Sequence, residues 1–252
     1  MAAIRSCSWL VSTLAPLLGL GFPSSQAAAQ SVRLNGPLPQ PGAADVDRYL
    51  LSADSTRIVF RAGVAYPQAF ELFTSTLDGG AGATLLSAAF VQDFLLSDSG
   101  RVVYSAGQTA TTFVGLRSIP ADGSALFAEL SRSLVPGGNV TDFALAEATG
   151  RVVFRADKLV DERFELFSVP LDGSAAPVQL VPNLDANTDV ADFRVSADGQ
   201  SVVFVLASPY MSMERLAVVP VDGSQLPHEI ATSGTPPGGL WQTLFSCVEK
   251  FT

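Results

Sequence analysis

The chain has 252 residues, a formal charge of −9 at neutral pH, 15% charged residues and 48% hydrophobic ones. An acidic chain without clustered Lys or Arg is poorly suited to phosphate backbones or anionic lipid, which argues against nucleic-acid binding. The high apolar fraction and sparse charge argue against disorder, and the length is ample for a sizeable core.

Residues 1–29 read as a secretory signal peptide, with Arg5 near the start, an apolar core from Trp9 to Leu20 broken by Pro16, and Ala27-Ala28-Ala29 before Gln30. Cleavage is expected near Ala29 and removes Cys7. The apolar core, Trp9 to Leu20, is short of the roughly 20 residues that cross a bilayer, and no later run matches it, so no membrane span is expected. The mature chain is expected to be soluble and exported, periplasmic or extracellular. The signal carries one basic and no acidic residue, so its loss shifts the formal charge from −9 to −10. Only Cys247 remains, so no internal disulfide forms even in an oxidising compartment.

Residues 30–45 hold Val32-Arg33-Leu34 and a Pro/Gly-rich connector from Pro37 to Gly42. Four copies of one unit follow, at residues 46–90, 91–139, 140–189 and 190–231. Their openings are Val46-Asp47-Arg48-Tyr49, Val91-Gln92-Asp93-Phe94, Val140-Thr141-Asp142-Phe143 and Val190-Ala191-Asp192-Phe193. The aromatics Phe60, Tyr104, Phe154 and Phe204 recur at steps of 44, 50 and 50 residues, and the Asp-Gly turns at Asp78, Asp122, Asp172 and Asp222 recur at the same steps. A period of this size, built from short apolar runs and turn residues, marks a repeated β unit such as a propeller blade.

Each unit reads as four strands. In the third copy the first strand carries Phe143 and Leu145, and a turn at Thr149-Gly150 leads to the second, Arg151 to Ala156. The third runs from Phe164 to Val169, and Asp172-Gly173 turns the chain into a fourth, Val178 to Val181. Pro120, Pro170 and Pro220 stand at the end of strand three, where a missing N–H costs least. Val152-Val153-Phe154 is apolar on both faces, which predicts a strand covered on both sides; a sandwich with one wet face would alternate.

The pattern Asp-Phe-x-x-Ser-x-Asp-Gly-x-x-Val-Val-Phe, followed by Glu-Leu-Phe-x-Val-x-Leu-Asp-Gly, resembles the TolB-like propeller repeat over roughly residues 46 to 231. The third and fourth copies match best; the first has Arg48 in place of the Asp and no Gly in its Ser55-Thr56 turn. The resemblance implies a β-propeller of four-stranded antiparallel blades, six-bladed in the usual family form, serving as a rigid interaction platform. No α/β domain of the kind that precedes the propeller in TolB is expected between the signal and the first unit, so the fold is carried over and the Tol partners are not.

Four blades are recognisable, and the ring is expected to be open or truncated. Val32-Arg33-Leu34 fits a strand donated to a last blade, while residues 232–252 hold only a degenerate first-strand copy, Gly238 to Phe245, with Thr243 where Asp142 stands. Exposed terminal blades would make the mature chain self-associate.

No catalytic, cofactor-binding or metal-binding residue is assigned. His228, the only histidine, reads as an edge-strand residue, since no Gly-x-Ser-x-Gly elbow presents a serine to it. Asp185, Asn187 and Asp189 have the one-three-five spacing of a calcium loop, with Asp192 nearby, but Val190 stands where the loop needs Gly and the closing Glu is missing. Polar turn chemistry is the preferred reading. The recurring Asp93, Asp142 and Asp192 are expected to satisfy backbone N–H groups of the adjoining turn. Phe94, Phe143 and Phe193 are expected to pack blade against blade.

Three functions are compatible with these residues. The first is a non-enzymatic exported propeller that binds a protein or cell-envelope component. The second is the propeller of a larger hydrolase of the prolyl-oligopeptidase type, with its catalytic domain encoded elsewhere. The third is a carbohydrate or small-ligand binder, for which only Tyr66, Tyr210 and Trp241 offer loop or terminal Tyr and Trp residues.

Overall fold

The computed structural model describes residues 45–65, 69–80, 82–107, 114–208 and 211–233. The signal sequence, Val32 to Leu34, Tyr66, Tyr210, Trp241 and Cys247 lie outside the described residues. Among those described, no helix is long and apolar enough to cross a membrane.

The chain forms four antiparallel four-stranded sheets in sequence order, the blades of an all-β propeller. The first comprises β1 (Val46–Leu51), β2 (Arg57–Ala65), β3 (Ala69–Thr76) and β4 (Thr84–Ser87). The second comprises β5 (Phe90–Leu96), β6 (Arg101–Gly107), β7 (Gly115–Pro120) and β8 (Ala128–Glu129). The third holds β9 (Val140–Ala146), β10 (Arg151–Ala156), β11 (Glu165–Pro170) and β12 (Val178–Gln179). The fourth holds β13 (Asp189–Val195), β14 (Ser201–Ser208), β15 (Met211–Pro220) and β16 (His228–Ser233). Each strand pairs with the next along the chain, so every blade is a meander. The one helical element described is a single 3-10 turn at Glu147–Thr149.

Turn chemistry sets the register. Gly123, Gly173 and Gly223 sit at φ of 70°, 71° and 70°, a left-handed conformation in which a Cβ is strained, and each N–H bonds back to the carbonyl of Pro120, Pro170 or Pro220. The preceding aspartate closes the turn: Oδ1 of Asp122, Asp172 and Asp222 accepts the N–H of Ser124, Ser174 and Ser224, each at 2.9 Å. The prolines pair with Arg101, Arg151 and Ser201 at the last register position of strand three.

Three shared cores join the four blades in order. Val59 and Leu72 of the first blade pack with Phe94 and Tyr104 of the second. Val103 and Leu116 of the second pack with Phe143 and Phe154 of the third. Val153 and Leu166 of the third pack with Phe193 and Phe204 of the fourth. Thus each second strand offers its valine forward and its aromatic backward, which is why Val152, Val153 and Phe154 are all fully buried. Each fully buried Phe or Leu contributes about 1.5–3 kcal/mol of transfer free energy, and Phe154 is stacked on Phe167 at 5.4 Å between centroids.

Among the described residues no hydrophobic cluster joins the fourth blade to the first. Tyr49, the first blade's counterpart of Phe94, is 63% exposed, and Ile230, the fourth blade's counterpart of Leu86, Leu130 and Leu180, is 54% exposed. Among the described residues nothing packs over Tyr49 on β1 at the backward face of blade one or over Ile230 on β16 at the forward face of blade four.

Candidate functional site

The two ends of the blades differ in chemistry. At one end lie the Asp-Gly turns, where the second-strand arginines add charge: Arg57, Arg101 and Arg151 act electrostatically on Asp122, Asp172 and Asp222 of the next blade. In Asp122 and Asp172 the dominant lowering of the carboxyl pKa comes from the Ser124 and Ser174 side chains. These contacts are spent on the turn itself.

At the other end each first strand carries a β-bulge; β1 lies beside β5, and β9 beside β13. The register slips between Val46 and Arg48, between Val91 and Asp93, between Val140 and Asp142, and between Val190 and Asp192. A bulge inserts one residue that opposes none on the partner strand and leaves ladder groups unpaired. The recurring aspartate answers this defect. Oδ1 of Asp93, Asp142 and Asp192 accepts the N–H of the very next residue, Phe94, Phe143 and Phe193, at 2.8 Å in each case. The expectation that these carboxylates serve the adjoining turn is therefore corrected: they serve a bulge inside the strand, whose need for an extra acceptor does not show in a strand-and-turn pattern.

Where the first blade departs from the pattern, Arg48 occupies the aspartate position and forms an ion pair with Asp93 of the next blade. Its guanidinium also lies 5.1 Å from the centre of the Phe94 ring. Asp192 pairs with Arg194 at 2.8 Å. Asp142 forms no ion pair among the described residues.

Two further arginines belong to this end. Arg61 on β2 reaches the carbonyls of Gln92 and Val91 at the second blade's bulge, and Arg155 on β10 reaches those of Ala191 and Val190 at the fourth blade's bulge. Sequence reasoning missed both; the signal was available in the residue that follows each second-strand aromatic, which reads Arg61, Ser105, Arg155, Val205. At Ser105 a cavity of about 320 Å³ opens between the second and third blades.

A larger cavity, about 720 Å³, lies beside β7 and β8, but its polar groups serve one another: Arg117 bonds Glu129 at 3.0 Å, and Ser131 bonds the same carboxylate at 2.9 Å. A third, about 400 Å³, holds Asp185 and Asn187 with Arg215. There Asp185 faces the Arg215 guanidinium at 3.5 Å, while Asp189 accepts the Phe164 N–H at 2.9 Å. Two of the three calcium-loop candidates are thus engaged as polar turn and ion-pair groups. No set of three or more His, Cys, Asp or Glu side chains converges on a metal position among the described residues. His228 is exposed on β16, opposite Val218.

Among the described residues Glu165 is the most deeply buried carboxyl, fully shielded from solvent. Burial pushes its pKa up, opposed by the Arg163 guanidinium at 2.7 Å, and Gln179 donates to the same oxygen.

No protein-family model matches the chain, and no curated protein matches it. Solved structures do. The chain is similar to dipeptidyl peptidase 4 of Porphyromonas gingivalis, with 14% identity and a TM-score of 0.58 over 85% of this chain and 29% of that one. It is similar to an oligogalacturonate lyase in complex with manganese, with 13% identity and a TM-score of 0.53 over 76% of this chain and 55% of that one. TolB from Acinetobacter baumannii is matched at 10% identity and a TM-score of 0.46, over 76% of this chain and 44% of that one. The first two establish the β-propeller fold. The chain spans about half or less of the length of the proteins it matches.

Proposed function

We propose that this chain is a non-enzymatic propeller that acts as an exported interaction platform for a protein or cell-envelope component. The observation that carries this reading is the row of bulges at one end of the blades, where acidic groups and backbone carbonyls sit on first strands that are half exposed and paired along their length with the buried second strands. Sites held on such strands are more accurately positioned than sites on loops. Export rests on the signal pattern before Gln30. The TolB-like repeat pattern supports the same use.

A photo-crosslinking residue at Gln92, exposed on the bulge row, tests the reading against one at Leu126, which is 91% exposed beyond the Asp-Gly turn at the opposite end. A discrete crosslinked partner in the exported fraction from Gln92 alone is the expected result. Retention in the cytoplasm with the first twenty-nine residues uncleaved would overturn it.

The second reading, a propeller portion of a prolyl-oligopeptidase-type hydrolase, is favoured by the likeness to dipeptidyl peptidase 4, of which the chain covers 29%. Partner-dependent cleavage of a chromogenic dipeptide would transfer support to it. A carbohydrate site draws no support from the described residues, since Tyr66, Tyr210 and Trp241 fall outside them.

A further inference from the structure

The repeats describe a ligand chemistry by filling two of three equivalent slots. Between blades one and two, Arg61 donates Nη1 to the Gln92 and Val91 carbonyls while its own blade's bulge residue, Asp47, accepts from Nε at 3.0 Å. Between blades three and four, Arg155 donates Nη1 to the Ala191 and Val190 carbonyls while Thr141 accepts from Nε at 2.9 Å. Each guanidinium also lies against the phenylalanine that leads into or opens strand three, Phe70 at 4.9 Å and Phe164 at 5.4 Å.

Between blades two and three both parts are replaced. Ser105 stands at the arginine position and Val114 at the phenylalanine position. The Ser105 hydroxyl turns back to accept the Asp93 N–H at 3.2 Å. The space left is the cavity of about 320 Å³, lined by Gln92, Asp93, Ser105, Val140, Thr141 and Asp142. Val140 and Thr141 are the repeat equivalents of the residues whose carbonyls receive arginine in the sister slots. Asp142 is the one recurring aspartate without an ion pair among the described residues, whereas Asp93 has Arg48 and Asp192 has Arg194.

We propose that the slot between the second and third blades binds a guanidinium group supplied from outside the chain, the arginine side chain of a peptide partner. The inference rests on the interaction-platform reading and gives that platform a chemistry. A planar fork of N–H donors matches two adjacent carbonyls and a carboxylate, and a lysine ammonium does not reproduce the fork. The cavity lies at the small end of the range for ligand sites, which suits one side chain rather than a cofactor.

The test uses the purified chain and N-acetyl-arginine amide as probe, with the lysine and citrulline analogues as controls, followed by calorimetry and NMR. Saturable binding of the arginine probe, at least tenfold weaker for lysine and absent for the isosteric, uncharged citrulline, is expected. Agmatine binding as tightly as the amide would assign the site to a free guanidinium, which overturns the peptide source. A capped tripeptide with central arginine binding more tightly supports it. Ser105→Arg should complete the repeat pattern, raise the thermal midpoint by a few degrees and abolish probe binding. Asp142→Asn, which keeps its oxygen for the Phe143 N–H, should weaken binding at least tenfold and is independent of how well Ser105→Arg folds. Equal binding of citrulline, or full binding by the Asp142→Asn variant, would overturn the slot while leaving the platform reading to the crosslinking result.

Discussion

Leu180 and Ile230 occupy the same position in successive blades, eight residues after an Asp-Gly turn, yet Leu180 is 1% exposed and Ile230 54%. Phe143 and Tyr49 make the same contrast at the opposite faces, 9% against 63%. An interior interface and an end face are thus built from similar apolar residues at one repeat position, and among the described residues the interior one has a neighbouring blade against it. A repeat position specifies which way a side chain points; burial is conferred by the next blade.

That contrast can be broken most strongly with a matched pair of truncations. Leu180→Ala should cost about 2–5 kcal/mol through lost burial and a residual cavity, while Ile230→Ala should stay within about 0.5 kcal/mol. Urea unfolding followed by tryptophan-independent circular dichroism measures both. A large cost at Ile230 would mean that its face is covered in solution, and light scattering tells whether the cover is a second copy: replacing Tyr49 and Ile230 by Lys should then abolish self-association.

Gly173→Ala probes the interior contact from the turn side. A Cβ there would meet the Ala128 Cβ at 2.9 Å and the Leu130 Cδ2 at 3.4 Å, at a φ of 71°. The expected loss is about 1–3 kcal/mol. The reverse change applies at the first blade, where Ser55 holds a φ of 56° at the position that Gly199 occupies, with a φ of 67°, in the fourth. Ser55→Gly should relieve the strain and gain about 1 kcal/mol, read as a higher denaturation midpoint.

The smallest effect is expected in acid. The Ser174 hydroxyl, its N–H and the Arg101 charge hold the Asp172 carboxyl below its ordinary value of 3.8. A carboxyl lowered on folding contributes stability above its unfolded pKa, and that contribution is lost as pH falls through the lower folded value. Asp172→Asn keeps a turn acceptor and removes this titration, so its stability should fall less steeply below about pH 4 than that of the parent, by a small margin because the group is mostly exposed.

Much of the fold is legible in the sequence. The twin periodicities of aromatic and Asp-Gly landmarks located all four blades, and the Val-Val-Phe runs anticipated doubly covered strands, because strand pairing and turn geometry are local. The bulge end was far less legible. Arg48, Arg61 and Arg155 act across a gap to the next blade, 30 or more residues away in sequence, and their partners are mostly backbone carbonyls that carry no compositional mark. The Asp at each bulge was visible as a recurrence, but its role depended on a register slip that alternation alone does not reveal. Strand β12 is also shorter than the apolar run Val178 to Val181 suggests, since Leu180 and Val181 leave the ladder to fill the core shared with blade four.

The glycine of each Asp-Gly turn also rests against the outer strand of the blade before it: Gly123 on Leu86, Gly173 on Ala128, Gly223 on Val178. These contacts bring the turn of one blade against the outermost strand of the blade before it. A methyl group at Gly173 or Gly223 would crowd that strand, 2.9 Å from the Ala128 Cβ and 2.8 Å from the Val178 Cγ1, whereas at Gly123 it would meet Leu86 in ordinary contact at 3.5 Å. How closely the outer edges of the last three blades approach one another is therefore set in part by the absence of a side chain at two of these turns.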